Sequence, residues 1–227
     1  MLRGKGGAVE AQVWQAGTYT LTSAKGKSRQ LEAAPIPEAV QITGPWELRF
    51  PPKAGAPERV TLDQLISWSK HSDAGVRYFS GTATYLKKFE VPPALIAPGR
   101  RFYLDLGNVE VMAGIKLNGK DLGILWKQPY CVEVTDALKP GGNALEVEIV
   151  NLWINRQIGD EQLPEDSERN TDGTLKQWPQ WLQEGKPSPT GRYTFTSWRL
   201  WQKDSRLADS GMLGPVKLRV TQSVLMR

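Results

Sequence analysis

Gly75 to Pro93 reads GVRYFSGTATYLKKFEVPP, and Tyr103 to Trp153 reads YLDLGNVEVMAGIKLNGKDLGILWKQPYCVEVTDALKPGGNALEVEIVNLW. Apolar and polar residues alternate here with a period of two, the spacing at which the side chains of a strand share a face. Phe102, Leu104 and Leu106 fall on one side, with Arg101, Tyr103 and Asp105 on the other. Val109, Val111, Ala113, Ile115 and Leu117 oppose Glu110, Met112, Gly114 and Lys116, and Leu145, Val147 and Ile149 oppose Glu146 and Glu148. The interval from Gly75 to Trp153 is therefore expected to be one uninterrupted run of strands.

Turn chemistry separates those strands. Asn118-Gly119 supplies the two residues that tolerate positive φ, as a type I′ hairpin requires, so the chain doubles back into Asp121 to Trp126. A strand from Cys131 to Val134 precedes a short turn at Thr135-Asp136-Ala137-Leu138, and Lys139-Pro140-Gly141-Gly142-Asn143 reverses the chain again. Several short strands spaced by turns predict an all-β chain folded as a β-sandwich. The 22 Gly and 16 Pro among 227 residues fit that class.

Outward from this stretch, residues 9–34 read as a small β-hairpin unit, with Tyr19 to Thr22 and Ser28 to Glu32 flanking the turn Ala24-Lys25-Gly26-Lys27. Ala34-Pro35-Ile36-Pro37 reads as a linker, which divides the chain into an N-terminal hairpin unit, 1–36, and the sandwich, 37–227. The sandwich opens with a strand at Gly44 to Phe50, has a short helix at Leu62 to Ser67 capped by Thr61, and closes with a strand at Val216 to Val220. Residues 156–210 form a long irregular excursion rich in acids, Trp and Pro, the kind of loop on a rigid scaffold where binding resides. Strand-like alternation begins almost at once after Met1 to Gly7, so the sequence is expected to be a piece of a longer polypeptide.

Composition excludes several chemistries. The net charge of +5 is spread among acids, as at Lys87-Lys88 beside Glu90, whereas a nucleic-acid surface needs a clustered basic stripe. No apolar run approaches the roughly 20 residues of a membrane-spanning helix. The single cysteine, Cys131, cannot form an intrachain disulfide or a Cys-based zinc site. The single histidine, His71, sits in a turn-like loop, which excludes a His-rich metal centre and leaves one candidate for a Ser-His-Asp triad. Neither a phosphate-cradling loop nor a dinucleotide glycine fingerprint occurs.

Two features of the excursion carry chemistry. Asp160, Glu161, Glu165, Asp166 and Glu168 crowd one segment, and a glycosidase needs two carboxyl groups roughly 5–10 Å apart. On that reading Asp160 or Glu161 is the general acid and Glu165 or Asp166 the base or nucleophile; the plainer reading is a solvated acidic loop. The second feature is the aromatic content, nine Trp in all. Trp178, Trp181, Tyr193, Trp198 and Trp201, with Asn155, Arg156 and Arg192 as polar neighbours, are candidates for a carbohydrate site, since sugar C–H faces pack on rings and hydroxyls seek amides and guanidinium groups. The alternatives are rings that cover the sandwich or dock a neighbouring domain. Trp46, Trp126 and Trp153, within or beside strands, are expected in the core.

The pattern Tyr78-Phe79-Ser80-Gly81-Thr82-Ala83-Thr84-Tyr85, Phe89-Glu90-Val91-Pro92, Leu104-Asp105-Leu106-Gly107, Ile115-Lys116-Leu117-Asn118-Gly119 and Val134 to Gly141 resembles the galactose-binding-like jelly roll that binds sugar in family 2 glycoside hydrolases. Asn151 to Asp166, Trp178-Pro179-Gln180-Trp181, Gly191 to Thr196, Trp198 and Gly214-Pro215-Val216 further resemble the carboxy-terminal region of bacterial α-L-rhamnosidases of glycoside hydrolase family 106. This resemblance implies a jelly-roll accessory domain whose partners are an oligo- or polysaccharide and the catalytic barrel of a longer parent chain. The family's catalytic glutamates belong to that barrel and have no counterpart in these residues. It also implies a bacterial parent exported to the periplasm or beyond. Neither reading requires a cofactor. A structural calcium, often present in galactose-binding-like domains, would draw on Asp160, Glu161 and Asp166.

Overall fold

A computed structural model of the chain describes residues 2–5 and 8–226; Met1, Gly6 and Gly7 of the lead-in stretch and Arg227 lie outside them. Along the chain the strands are β1 (Leu2–Lys5), β2 (Ala8–Val13), β3 (Gly17–Thr22), β4 (Ser28–Ala33), β5 (Val40–Gln41), β6 (Trp46–Arg49), β7 (Arg59–Leu62), β8 (Thr82–Val91), β9 (Arg100–Asp105), β10 (Asn108–Glu110), β11 (Met112–Leu117), β12 (Lys120–Leu125), β13 (Cys131–Glu133), β14 (Gly141–Val150), β15 (Gly211–Gly214) and β16 (Lys217–Met226). One sheet runs β1-β2-β16-β9-β13, with β5 also on β16, and the other runs β12-β11-β14-β8-β6-β7. The two are the layers of an all-β sandwich. Hairpin β3–β4 stands as its own ribbon, whereas β2, from the same N-terminal stretch, pairs with β16 in the first sheet.

The alternation seen in the sequence is the alternation of burial. On β14, Asn143, Leu145, Val147 and Ile149 face inward while Ala144, Glu146 and Glu148 face solvent. They meet Ala113, Ile115 and Leu117 of β11 and Ala83 and Tyr85 of β8 in the same layer, and Phe102, Leu104, Leu218 and Val220 from the opposite sheet complete one continuous core. Each fully buried Leu, Ile, Val or Phe among them contributes about 1.5–3 kcal/mol. The Asn118-Gly119 hairpin forms as expected, with φ of 53° and 80°. Asn118 also donates to Ala137 O and Asn143 Oδ1, both at 2.8 Å, so the β11–β12 turn is tied to the turn that leads into β14.

Three local expectations are corrected. The run of strands does not begin at Gly75: Ala74–Arg77 form a short helix, α1, and β8 begins only at Thr82. Asp73 Oδ1 accepts the Val76 N–H at 3.2 Å, and Val76 and Phe79, three apart, both reach the core. The cap and this i, i+3 pair outweigh the apparent alternation. The helix expected at Leu62 to Ser67 is absent, because Thr61 and Leu62 continue β7 opposite Glu47 and Trp46; a single 3-10 turn follows at Trp68–Lys70. Trp126 and Trp153 are not core residues: they are 65% and 58% exposed, one just past β12 and the other just past β14.

Cys131, on β13 beside Asp105, lies partly buried, and burial with the nearby Asp105 carboxylate pushes its thiol up to about 11 from 9.0. Because the thiolate is the nucleophile, alkylation by iodoacetamide at pH 8 is expected to run about a hundredfold slower than in the denatured chain, as two pH units imply. Equal rates folded and unfolded would contradict that environment.

Candidate functional site

The excursion leaves β14 at Asn151, whose side chain accepts from Gly81 N–H at 2.9 Å and donates to Phe79 O at 2.8 Å. It then enters a second helix, α2 (Ile154–Asp160), that is buried along most of its length. Gly159 is obligatory there, since a Cβ would lie 2.6 Å from Tyr78 Cβ. Asn155 exchanges hydrogen bonds with the backbone of Ala208, donating at 2.8 Å and accepting at 2.9 Å, so it fastens the outgoing chain to the returning chain. Asn155 and Arg156 are thus enclosed and do not face solvent.

The acidic cluster is held by arginines and backbone donors. Asp160, 1% exposed, accepts at Oδ2 from Tyr193 N–H (3.0 Å), Thr194 N–H (2.7 Å) and the Thr194 hydroxyl (2.7 Å), with Arg156 Nη1 3.9 Å from Oδ1. Glu161 Oε1 accepts from Arg192 Nη1 at 2.9 Å, and its Oε2 lies 3.1 Å from Arg199 Nε. Glu165 pairs with Arg199 and lies 3.6 Å from Arg192. Asp166 accepts the hydroxyls of Ser167 (2.8 Å) and Ser188 (2.7 Å). Arg192 completes the lattice by donating to Pro164 O and Leu163 O. Burial lowers the pKa of Arg156, with Asp160 opposing; burial and then the Arg199 charge lower that of Arg169.

This lattice decides what the carboxylates can do. Asp160 and Glu161 turn to separate donors, and among the described residues no three Asp, Glu, His or Cys side chains converge as a cation cage. Asp160, Glu161 and Asp166 in this arrangement do not fit calcium, whose six to eight oxygen ligands must surround one point. A general acid must also reach a substrate oxygen, and Asp160 is walled in on its Oδ2 side by three donors.

The rings behave differently. Trp178, Tyr193 and Trp198 are 59%, 52% and 54% exposed, while Trp181 and Trp201 are partly covered. Their backs are fixed. The Tyr193 ring has the Arg156 guanidinium 4.6 Å from its centroid. Trp198 Nε1 donates to Asp172 O and Trp181 Nε1 to Asp166 O, both at 2.9 Å. Phe195 packs between Trp178 and Trp181, at 5.6 and 6.0 Å between centroids. Arg192, a candidate sugar ligand by residue type, has a side chain only 6% exposed and spends its donors on the lattice. Its role was not visible in the sequence, because Glu161 and Arg192 are 31 positions apart. His71 accepts the Asp73 N–H at Nδ1 in a loop remote in sequence from the excursion.

No protein-family model matches the chain. It is 42% identical over 204 residues, 90% of its length, to a protein of Formosa agariphila carrying the name "Putative beta-glucuronidase", of which the match spans 18%. Among solved structures it is similar to the rhamnosidase from Novosphingobium sp. PP1Y, with a TM-score of 0.66 and 26% identity over 95% of this chain and 21% of that one. It also shares the fold of Bifidobacterium dentium β-glucuronidase complexed with coumarin-3-O-glucuronide, with a TM-score of 0.53 and 23% identity over 82% of this chain and 30% of the other. The structural neighbours are rhamnosidase and glucuronidase glycoside hydrolases, and the chain spans about a fifth of the length of the first two proteins it matches.

Proposed function

We propose that this chain is a non-catalytic, galactose-binding-like accessory module of a longer rhamnosidase-like glycoside hydrolase of family 106, and that it grips an oligo- or polysaccharide through the exposed rings of the excursion. The supporting observation is the division of labour in that loop. Its carboxylates Glu161 and Glu165 are spent on Arg192 and Arg199, while Trp178, Tyr193 and Trp198 stand out with their polar handles or rear faces already tied down. Fixed rings lose little side-chain freedom on binding, which is what a stacking platform for sugar C–H faces requires. The small share of the Formosa and Novosphingobium proteins that the chain spans leaves room for a separate catalytic barrel in the parent.

Calorimetric titration of the chain with rhamnose, galactose and plant polysaccharides tests this reading, alongside assays with aryl α-L-rhamnoside and aryl β-D-glucuronide. Binding without turnover is expected, and Trp178→Ala should weaken it about tenfold, the loss of roughly 1.4 kcal/mol of stacking. Hydrolysis of either aryl glycoside, abolished in Glu161→Gln while binding persists, would instead identify a free-standing glycosidase.

A further inference from the structure

Trp126 and Trp153, expected inside and found outside, belong to one apolar field at the end of the second sheet's outer face. Val150 of β14 pairs with Met112 of β11, and Ala113 pairs with Leu125, so Trp126 comes beside Met112 one step further on. Ile124, the outward side chain before Trp126, lies opposite Gly114, which presents none. Beyond Val150, Asn151 turns inward to Gly81 and Phe79, so Leu152 continues the outward row and Trp153 follows it into α2. Met112, Ile124, Trp126, Leu152 and Trp153 are all exposed.

The field is large and bounded. At roughly 250 Å² per indole side chain, Trp126 and Trp153 alone leave about 300 Å² open, and monomers rarely show more than about 300–600 Å² in one patch. Lys116 and Glu148, paired at 3.8 Å, mark its lower border on the same face, and Lys127 Nζ stands 5.3 Å from the centroid of the Trp126 ring. An apolar centre with a charged rim is the anatomy of a protein interface.

The edge beside the field argues against a second copy as its cover. Copies would pair along β12, the free edge of this sheet. That edge is blunted: the β11–β12 register slips between Gly114 and Lys116, Gly123 takes a φ of 90°, and Lys120 and Asp121 lie exposed along it. The field is therefore met from its face. The match spans 18% of the Formosa protein and 21% of the Novosphingobium one, so about four-fifths of each is other polypeptide. Domains of one chain commonly bury about 600–1,500 Å² against each other, the scale that this field begins to supply.

We propose that Met112, Ile124, Trp126, Leu152 and Trp153 dock this chain onto another domain of its longer parent polypeptide, against an apolar surface with a carboxylate opposite Lys127. This rests on the reading above only in requiring a longer parent chain. The rings of the excursion stay free for glycan.

Hydroxyl-radical footprinting with mass spectrometry, run on the parent polypeptide and on this chain, tests the docking. Oxidation of Met112, Trp126 and Trp153 should be about fivefold slower or more in the parent, as burial in an interface core implies, while Trp178 keeps its rate. Trp126→Asp in the parent should restore fast oxidation of Met112 and Trp153. In this chain alone the same substitution, at an exposed position, should leave the denaturation midpoint unchanged. Equal rates in parent and chain at Met112, Trp126 and Trp153 overturn the proposal. Slow oxidation of the three in this chain alone, with sedimentation at twice its mass, also overturns it, in favour of a second copy. If the rates are equal while the chain binds polysaccharide without turnover, the accessory-module reading stands and the docking falls. Turnover by the chain alone, with the three residues protected in the parent, removes the accessory-module reading and leaves the docking in place.

Discussion

Asp160→Ala is expected to destabilise the chain by about 3–5 kcal/mol, the cost of removing one partner from a buried, hydrogen-bonded charge. The carboxylate is 1% exposed and collects the Tyr193 and Thr194 N–H groups and the Thr194 hydroxyl on one oxygen. Without it two part-buried backbone donors lose their acceptor, and the Arg156 guanidinium, 3.9 Å away, loses its nearest counter-charge. The loss should be local before it is global. Tyr193 and Thr194 are held to α2 through this carboxylate, so the segment from Gly185 to Arg199 should become sensitive to limited proteolysis at denaturant concentrations that leave the sandwich folded. Asp160→Asn keeps an acceptor and should fall between the two. Chemical denaturation with a change below about 1 kcal/mol, within the range of ordinary surface substitutions, and an unchanged cleavage pattern would contradict this account.

That prediction rests on contacts no sequence pattern displayed. The sandwich was legible because its signals are local. Leu145, Val147 and Ile149 alternate within one strand, and Asn118-Gly119 states its own turn geometry. The N-terminal cap Asp73 was equally local, but Gly75 to Ser80 were read with the strand that follows them. In the excursion the deciding partners lie far apart: Asp160 with Thr194, Glu161 with Arg192, Asn155 with Ala208. Clustered acids spaced like a catalytic or calcium loop look the same in sequence as acids spaced to receive distant arginines. Only the fold tells whether the missing partner is a substrate, a cation or another part of the chain. The aromatic residues pose the converse problem. Trp46 and Trp126 both adjoin strands, yet one is buried and the other exposed, because Trp46 points between the sheets while Trp126 follows edge strand β12 and has no layer above it.

Trp68→Ala should be as costly, about 3–5 kcal/mol, but its effect should spread through the sandwich. The indole is 1% exposed and touches rings from three parts of the chain: Phe50 and Phe79 at 5.7 Å, and Tyr85 of β8 in a stack at 6.2 Å. Its Nε1–H donates to the Tyr85 hydroxyl at 2.6 Å, and Met212 N–H donates to the same oxygen at 3.1 Å. Burial pushes the Tyr85 phenol well above its usual pKa, so it stays neutral and accepts both bonds across the physiological range. Trp68 N–H also donates to Ser210 O at 2.9 Å, and Gly211 passes so near the indole that a Cβ would lie 2.6 Å from Nε1. The Trp68 backbone and ring together therefore seat the end of the excursion. Removing the ring opens a void beside Phe50 and Phe79 and takes a donor from the Tyr85 hydroxyl that also holds Met212, so chemical denaturation should show the whole sandwich losing stability. Trp68→Phe fills much of the void but lacks the indole N–H, and should recover most of the loss except for about 1 kcal/mol from the missing hydrogen bond. An equal cost for Phe and Ala would mean that packing of the ring contributes nothing here and would contradict the stack on Tyr85.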